Sequence, residues 1–543
     1  MPGTTSCNFC KTGYYNESAI DGDVAKVKCA RCLEPDDGAT CLETTVSGND
    51  SLTHGSLSLA TILIKPKYWR LSARSKTLSM CLKSANGSSS CVGGSDAGDE
   101  NEYKRGYTGS GYCKAGHTGP LCQVCNTSDF HFDSDEAMEC IQCPTISEKL
   151  DLPMGCIGVL VALLLVTFVI KRRCSERLHK PVAKVKRVVA RIKQLDIVPR
   201  CKLLFTFFQL ASQITTVYNV QLSGSSKDLY ADSVAAFSWV SFNWDGYFYP
   251  GQCVAAGFRN RLLLRAISPI MLLFAIPLCT IAFFYCRHAR NPRTRGRWLS
   301  DAAASAAPFD LFVSFLLCPT VSKGIFDTWD CSEYELDGAT GEVRTFLNAD
   351  LQIVCSGNDH PEEYDKIKTI ANFFLVIWPI GMPLIYMLVL FPSRQALRQG
   401  RRTRMVQATA FLHKEYNPTF FWWEIVTLTQ RLILTGWVLL IPIENDAWRI
   451  FLGLLTTIGY LSLLQFVQPY KRKSFNTLAI AAQASLVCIF LGGTFIKLFS
   501  GNWGDDSSED SVFTIVCIMV AFNFSLLILY ATLAAHQFST SAV

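Results

Sequence analysis

The chain has 543 residues, of which 49% are hydrophobic, and its mean hydropathy is +0.21. These values exclude an entirely water-soluble protein of ordinary composition and predict that part of the chain lies in a membrane. The formal net charge is +6, but the basic residues form short clusters beside apolar runs. That distribution argues against nucleic-acid binding.

Residues 1–150 are predicted to form a small, β-containing, disulfide-rich domain. Twelve of the 23 cysteines lie there: Cys7, Cys10, Cys29, Cys32, Cys41, Cys81, Cys91, Cys113, Cys122, Cys125, Cys140 and Cys143. An even number in so short a segment favours disulfides. The spacing from Cys7 to Cys32 also matches a structural zinc site, and spacing alone does not decide between the two.

Potential N-glycosylation sites cluster in the same segment. The sequons begin at Asn16, Asn49, Asn86 and Asn126. A fifth match, at Asn523, falls inside a predicted membrane helix. The clustering is typical of an oxidising, glycosylating compartment, so disulfides are favoured over zinc.

From residue 152 onward, apolar runs of near bilayer length alternate with polar connections. They predict an all-α polytopic bundle of about nine transmembrane helices, at 152–170, 203–222, 262–285, 302–322, 369–391, 420–441, 450–467, 478–497 and 512–534. The fourth has the weakest apolar core. The predicted domains are therefore 1–150, then 151–202 with the first helix and a basic linker, then 203–536 with eight helices, and a tail at 537–543.

Every second connection is basic, at 171–173, 287–297, 394–404 and 471–473, and these connections are predicted to be cytoplasmic. The N-terminus is then extracellular or luminal and the C-terminus cytoplasmic, in the plasma membrane or an endomembrane. No basic and apolar leader follows Met1. Either the first helix carries the domain across, or upstream residues are missing; the second is favoured because a cysteine module begins at Cys7.

Two connections have open interpretations. Residues 175–202 mix lysine and arginine with valine, which fits a basic amphipathic helix on the inner leaflet and, equally, a solvated linker. The aromatic-rich loop 223–261 fits an element resting at the outer interface, with a re-entrant pore loop as the alternative. In the acidic connection 327–365, Cys331 and Cys355 are expected to form a disulfide.

Two cysteine-containing stretches carry a resemblance to known modules. Cys7-Asn-Phe-Cys10-Lys-Thr-Gly-Tyr-Tyr15 and Gly116-His-Thr-Gly-Pro-Leu-Cys122-Gln-Val-Cys125 resemble epidermal-growth-factor-like and ephrin-receptor-like repeats. Their glycines permit the tight turns that bring cysteines together. The order of modules looks like the ectodomain of a set of algal and protist multi-pass membrane proteins.

The membrane half is similar to the transient-receptor-potential-like family. The resemblance rests on three short stretches: Phe207-Phe-Gln209, Phe420-Phe-Trp-Trp-Glu424 continuing to Arg431, and Gln468-Pro-Tyr-Lys471. It implies a channel-like helical bundle.

Charged side chains within predicted helices are the first functional candidates. Arg431 lies near the middle of the sixth helix, where a charge costs on the order of 3 kcal/mol. Glu424, seven residues earlier on the same face, and Asp310 in the fourth helix are its candidate partners. These three are candidate pore or gating charges; the alternative, which is somewhat favoured, is a buried ion pair that fixes helix packing.

A proline-glycine cluster in the fifth helix is a candidate hinge. Pro379, Gly381 and Pro383 interrupt the helical hydrogen-bond ladder within five residues, so they predict a kink, with or without gating. Kinking without gating is the favoured interpretation.

No catalytic constellation emerges, because the eight histidines are scattered and there is no phosphate-binding glycine loop or HExxH motif. We expect no enzyme activity, no cofactor and no metal. The leading hypothesis is a cation-conducting, channel-like protein whose ectodomain senses an extracellular ligand or force, with the lipid bilayer, cations and further copies of the chain as partners. The alternative is a surface receptor or adhesion protein whose helices serve as anchor or signal conduit.

Overall fold

The structure is a computed structural model. It describes residues 14–16, 29–33, 38–40, 58–82, 87–98, 109–127, 129–133, 138–143, 197–218, 220, 229–230, 233, 257–288, 298–356, 362–442, 445–499 and 505–542. The chain forms two compact units. Unit 1 comprises Met1–Thr145, Asp245–Arg261 and Thr328–Thr369, and unit 2 comprises Ile146–Trp244, Leu262–Asp327 and Ile370–Val543.

The N-terminal part of unit 1 is built from short antiparallel strand pairs. They are β1 (Tyr14–Asn16) with β2 (Cys29–Arg31), β3 (Ala39–Thr40) with β4 (Leu63–Ile64), β5 (Tyr68–Trp69) with β6 (Ser79–Met80), β7 (His117–Thr118) with β8 (Val124–Cys125), and β9 (Phe130–Phe132) with β10 (Cys140–Gln142). Two-stranded hairpins are marginal alone. Disulfides Cys81–Cys91, Cys113–Cys122 and Cys125–Cys140 supply cross-links that such short elements need.

The module around β7 and β8 depends on glycine. Gly116 and Gly119 have φ angles of +87° and +71°, which side chains rarely adopt. A Cβ atom at Gly119 would lie 2.7 Å from Cγ2 of Val124. The sequence therefore needs glycine there to bring the two strands into register.

A three-stranded meander completes unit 1. It consists of β11 (Cys331–Asp337), β12 (Glu342–Leu347) and β13 (Asp350–Ser356), with the antiparallel order β11-β12-β13. The disulfide Cys331–Cys355 joins its outer strands. The sequence predicted only an acidic, disulfide-linked loop here.

The meander and the cysteine-rich hairpins share one hydrophobic core. Leu336 and Phe346 of the meander are buried in the same cluster as Leu59, Ile62 and Trp69. The described residues of Thr328–Thr369 therefore belong with the N-terminal region, although they lie between two predicted membrane helices. The reason is apolar burial, because short hairpins cannot form a core alone.

Unit 2 is helical. We number its helices with those that enter it from unit 1: α1 (Ile197–Ala211), α2 (Gln213–Thr216), α3 (Phe258–His288), α4 (Trp298–Phe326), α5 (Glu362–Leu375), α6 (Gly381–Leu390), α7 (Arg394–Arg398), α8 (Arg404–Ala408), α9 (Ala410–His413), α10 (Trp423–Thr435), α11 (Asp446–Val467), α12 (Lys473–Phe499) and α13 (Asp505–Ala542). A π-helical turn, Val376–Ile380, joins α5 to α6.

Within the described ranges, six stretches are long and apolar enough to cross a membrane: Phe258–Tyr285, Leu299–Trp329, Glu362–Arg398, Ala447–Val467, Lys473–Leu498 and Ser511–Leu533. The predicted helix at 152–170 lies outside the described residues, as do most of the linker 175–202 and of the loop 223–261. The predictions at 203–222 and 420–441 correspond to α1 with α2 and to α10, which are helical but shorter than a usual span. The prediction of nine spans is therefore met only in part.

At the candidate hinge, the backbone changes from a π-helical turn to an α-helix. Pro379 lies in the π turn, and Gly381 and Pro383 lie in the first turn of α6, where Gly381 keeps right-handed helical angles of φ −67° and ψ −40°. A proline removes one backbone donor, and a π turn accommodates that loss without ending the helix. Trp378, in the same turn, is buried and donates from Nε1 to the Ala266 carbonyl at 3.2 Å.

Candidate functional site

The candidate site is centred on α10, where Glu424 and Arg431 both have 0% exposure. Seven residues of helix place two side chains on one face, about 10 Å apart along the axis. A fully buried charge must be compensated by a partner or by hydrogen bonds. Each of these two residues meets a different group on α1.

Glu424 is paired with Lys202 rather than with Arg431. The Lys202 Nζ atom lies 2.6 Å from Glu424 Oε2, and the Tyr416 hydroxyl donates to the same oxygen at 2.8 Å. Lys202 also donates to the Phe411 carbonyl at 3.3 Å and lies 4.5 Å from the centroid of the Phe411 ring. The cation is thus satisfied by a carboxylate, a carbonyl and an aromatic face.

Arg431 is held by neutral groups. Its Nε donates to Gln209 Oε1 at 3.1 Å, its Nη2 donates to the same oxygen, and Nη2 also reaches the Phe315 carbonyl at 3.1 Å. The guanidinium carbon lies 4.3 Å from the centroid of the Phe315 ring. Asp310 is not among the residues that contact Arg431 in these interactions.

The spacing on the two helices is matched. Lys202 and Gln209 are seven residues apart on α1, as Glu424 and Arg431 are on α10, so the two polar pairs stack one above the other. Because the pairs follow the same order on both helices, α1 and α10 run in the same direction. The predicted topology gives the second and sixth membrane helices the same direction.

Phe315 of α4 connects the two pairs. Its ring centroid lies 4.3 Å from the Arg431 guanidinium carbon and 5.2 Å from Lys202 Nζ. The quadrupole of one ring therefore faces two cations in a buried setting. Three helices, α1, α4 and α10, meet at this cluster.

Three polar atoms at the cluster lack a hydrogen-bond partner among the described residues: Glu424 Oε1, Gln430 Nε2 and Arg431 Nη1. Asp310 Oδ1, elsewhere on α4, lacks one as well. In soluble cores such atoms are few, because each costs about 1–3 kcal/mol. Two of the residues, Glu424 and Gln430, line a small, partly open cavity with a volume of about 40 Å³. Its other polar lining includes Lys202, Tyr416, Thr427 and Gln483.

The cysteine candidates are distributed as follows. Cys29, Cys32 and Cys143 are disulfide-bonded, as are Cys113, Cys122, Cys125, Cys140, Cys331 and Cys355. Cys7 and Cys10 lie outside the described residues. The disulfides at Cys29 and Cys32 leave those two thiolates unavailable to the zinc site considered above.

Among the sequons, Asn126 is exposed, and Asn16 lies in β1 opposite Cys29. Asn49 and Asn86 fall outside the described ranges.

In the connection between α4 and α5, the carboxylate of Glu335 accepts several hydrogen bonds from the cysteine-rich part of unit 1. Glu335 Oε2 accepts from the Lys76 amide at 2.6 Å, from the Thr77 amide at 2.8 Å and from the Ser75 hydroxyl at 3.3 Å. Trp69 and Tyr334 pack edge to face, with ring centroids 5.4 Å apart. These contacts fix the meander against the cysteine-rich hairpins.

Sequence reasoning did not identify Lys202, Phe315 or Tyr416. Lys202 resembled the other basic residues that flank a membrane helix, and nothing in one sequence pairs an aromatic residue with a distant cation. The matched seven-residue spacings, 202 with 209 and 424 with 431, were the available signal.

No protein-family model matches the chain, and neither does any solved structure. The chain is similar to cysteine repeat modular protein A of Toxoplasma gondii, with 26% identity over 174 residues. The match covers 32% of this chain and 5% of the length of the Toxoplasma protein. That likeness agrees with the disulfide-linked modules of unit 1. The chain is thus a membrane protein with a cysteine-rich N-terminal domain.

Proposed function

We propose that the protein is a channel-like, cation-conducting membrane protein whose cysteine-rich domain lies outside the cytoplasm and senses a ligand or a mechanical load. The observation that supports it best is the buried cluster of Lys202, Glu424 and Arg431, where charges lie between helices beside a cavity. Charged groups inside a membrane are expensive and are generally retained for function. The similarity of the motifs at 207–209 and 420–431 to the transient-receptor-potential-like family points the same way.

The proposed gate is the Lys202–Glu424 pair. While the pair is closed, its net charge is zero, so it attracts a passing cation much less than a free carboxylate does. Movement of α1 relative to α10 frees the carboxylate of Glu424, a residue that lines the cavity and whose Oε1 atom has no partner among the described residues. A carboxylate exposed to water in a low-dielectric passage attracts cations.

We propose that the meander is the segment through which a ligand or a force acts on the membrane helices. It follows α4 and precedes α5 in the chain, and its Leu336 and Phe346 are buried in the core of the cysteine-rich domain. A ligand or force that acts on that domain therefore acts on a segment covalently continuous with two membrane helices. Glycosylation at Asn16, Asn49, Asn86 and Asn126 is part of this proposal.

Single-channel recording of the full-length protein in planar bilayers, under sodium, potassium and calcium gradients, tests the proposal. We expect discrete cation currents, and we expect Glu424→Gln to change their conductance or open probability at least threefold. The matched control is Glu362→Gln, which removes an exposed glutamate from an i,i+4 pair with Lys366. Silent bilayers that contain folded protein contradict the channel proposal.

The receptor or adhesion function is the second candidate, and the shared core of meander and hairpins favours it independently of any pore. In that case the same helix continuity transmits a bound state to the cytoplasmic side. Silent bilayers together with intact protein support this candidate. Currents that respond to Glu424→Gln exclude a purely anchoring role for the bundle.

A further inference from the structure

Residues 391–405, which follow α6 and are called the arginine segment below, carry positive charge that the described part of the chain does not balance. The segment contains no aspartate or glutamate. Its exposed basic residues are Arg394, Arg398, Arg401, Arg402 and Arg404. Among the described residues, Arg404 has a carboxylate partner, Asp301, and the other four arginines have none. The segment therefore presents uncompensated cations to its surroundings.

Both ends of the arginine segment lie at the ends of membrane-length stretches. The stretch Glu362–Arg398 ends within the segment. At the other end, Arg404 Nη1 donates to Ser300 Oγ at 3.1 Å and lies 3.3 Å from Asp301 Oδ1. These two partners stand at the start of the stretch Leu299–Trp329. A bilayer crossed by the two stretches therefore has one of its surfaces at the level of the arginine segment.

The turn within the segment is built by the backbone. After α7 ends, the Arg401 amide donates to the Ala396 carbonyl at 2.8 Å, and the Gly400 amide donates to the Leu397 carbonyl at 3.2 Å. Gly400 has a φ angle of +66°, as this type of helix-ending turn requires. Because the turn uses no arginine side chain, the guanidinium groups are available to a ligand and can be replaced without breaking it.

Exposed apolar side chains stand at the two ends of the segment. Phe391 is 47% exposed and Met405 is 51% exposed. The guanidinium carbon of Arg394 lies 5.2 Å from the centroid of the Phe391 ring. Elements that lie on a bilayer surface combine apolar side chains, which enter the acyl boundary, with basic side chains that stay among the headgroups. The arginine segment has both components.

We propose that the arginine segment binds the anionic headgroups of the bilayer surface beside it. The guanidinium group has a planar fork of donors that matches the oxygen atoms of a phosphate. The connection is one of those predicted to be cytoplasmic, and the cytoplasmic leaflet carries anionic lipid. Bound headgroups would hold the ends of two membrane stretches at the bilayer surface. The inference goes beyond the proposed function and does not require that the protein conducts ions.

The test is amide hydrogen exchange of the full-length protein in nanodiscs, followed by mass spectrometry of its peptides. One set of nanodiscs contains phosphatidylcholine alone, and the other also contains phosphatidylserine. We expect the amides of residues 394–404 to exchange at least threefold more slowly in the anionic nanodiscs, while those of the meander, residues 331–356, remain unchanged. Equal exchange of residues 394–404 in the two sets overturns the proposal.

Two further arms use the natural sequence, so that folding of a variant does not enter. High salt screens charges at a surface, so it is expected to abolish the difference between the two lipid compositions. A difference that persists in high salt overturns the assignment to headgroup charge. Inorganic phosphate added to neutral nanodiscs is expected to give no protection. Protection by phosphate alone would assign the arginines to a soluble anion and overturn the lipid proposal.

A matched pair of double variants locates the effect. Arg401→Gln with Arg402→Gln removes two exposed charges from the segment, and Lys366→Gln with Lys368→Gln removes two charges near the opposite end of the stretch Glu362–Arg398. The arginine variant is expected to lose at least half of the protection that anionic lipid gives to α7 and α8, and the lysine variant is expected to keep all of it. Full protection of a folded arginine variant overturns the proposal.

Discussion

Each of the two units contains a buried arginine, and the two arginines differ in how completely they are hydrogen-bonded. Arg70 in unit 1 and Arg431 in unit 2 both have 0% exposure. Arg70 donates from Nε to the Tyr112 hydroxyl at 2.8 Å and from Nη1 to the carbonyls of Leu59, at 3.0 Å, and Ser75, at 3.4 Å. Arg70 also donates from Nη2 to the Ala60 carbonyl at 3.5 Å, which makes four bonds against three for Arg431. The Nη1 atom of Arg431 has no partner among the described residues.

Arg70 has the surroundings of a structural residue. Burial raises the pKa of the neighbouring Tyr112, and the positive charge of Arg70 and its hydrogen bond partly offset that rise. Disulfides and a shared core hold the loops that supply the carbonyls. The incomplete pairing around Arg431 and Glu424 lies instead among helices that no disulfide joins in the described ranges. Polar groups left incompletely paired are where movement or a ligand is to be sought.

The largest change in protein stability is expected when the Lys202–Glu424 ion pair is broken. Lys202→Met alone leaves a buried carboxylate uncompensated, which costs about 3–5 kcal/mol of stability. The double variant Lys202→Met with Glu424→Gln is expected to recover most of that loss. Thermal unfolding of the purified protein in detergent measures both.

The control for this pair is the exposed Lys366–Glu362 pair, whose removal is expected to cost about 0.3–0.5 kcal/mol. If Lys202→Met lowers the stability no more than the control does, the Lys202–Glu424 pair is solvated. The bundle would then not contain the incompletely paired buried charges that distinguish it from unit 1.

A smaller difference is expected between Arg70→Met and Arg431→Met. Arg70→Met leaves the carbonyls of Leu59 and Ser75 and the Tyr112 hydroxyl short of a donor, for a cost of about 3 kcal/mol. Arg431→Met removes an incompletely paired charge and leaves chiefly Gln209 unpaired. It is therefore expected to lower the stability by about 1 kcal/mol. Protease resistance of unit 1 and thermal stability of the bundle give the two readouts. Equal costs would show that both arginines are structural.

The smallest effect concerns pH. Burial lowers the pKa of His413 below its ordinary value and Lys471 lowers it further, while a hydrogen bond to the Val406 carbonyl at 3.1 Å partly offsets both. The neutral form is therefore favoured on folding, so the stabilisation is present above about pH 6.5 and is lost as the pH falls through the lowered pKa. Unfolding temperatures between pH 7.5 and 5 measure it. His413→Asn is expected to flatten the profile, and an unchanged slope would assign it to another group.

The sequence predicted the elements whose signal is local. Length and apolar content identified the helices that include Trp298–Phe326 and Lys473–Phe499, and cysteine placement identified a disulfide-linked connection at Cys331 and Cys355. The alternation in Cys331–Asp337 predicts a strand, but its acidic residues made the segment look like an ordinary outer loop. Partners across the fold, such as Gln209 for Arg431, depend on how helices align and cannot be obtained from one helix alone.

The position of the meander in the chain sets an order of events during synthesis. Leu336 and Phe346 complete a hydrophobic core whose other members lie between Tyr15 and Cys122. At about 5–20 residues per second, Cys331 emerges roughly 10–40 s after Cys143. During that interval the cysteine-rich hairpins present an uncovered apolar face while helices α1 to α4 are still being made. We therefore expect that truncation before residue 331 yields an N-terminal fragment with an uncovered apolar face that is prone to aggregate.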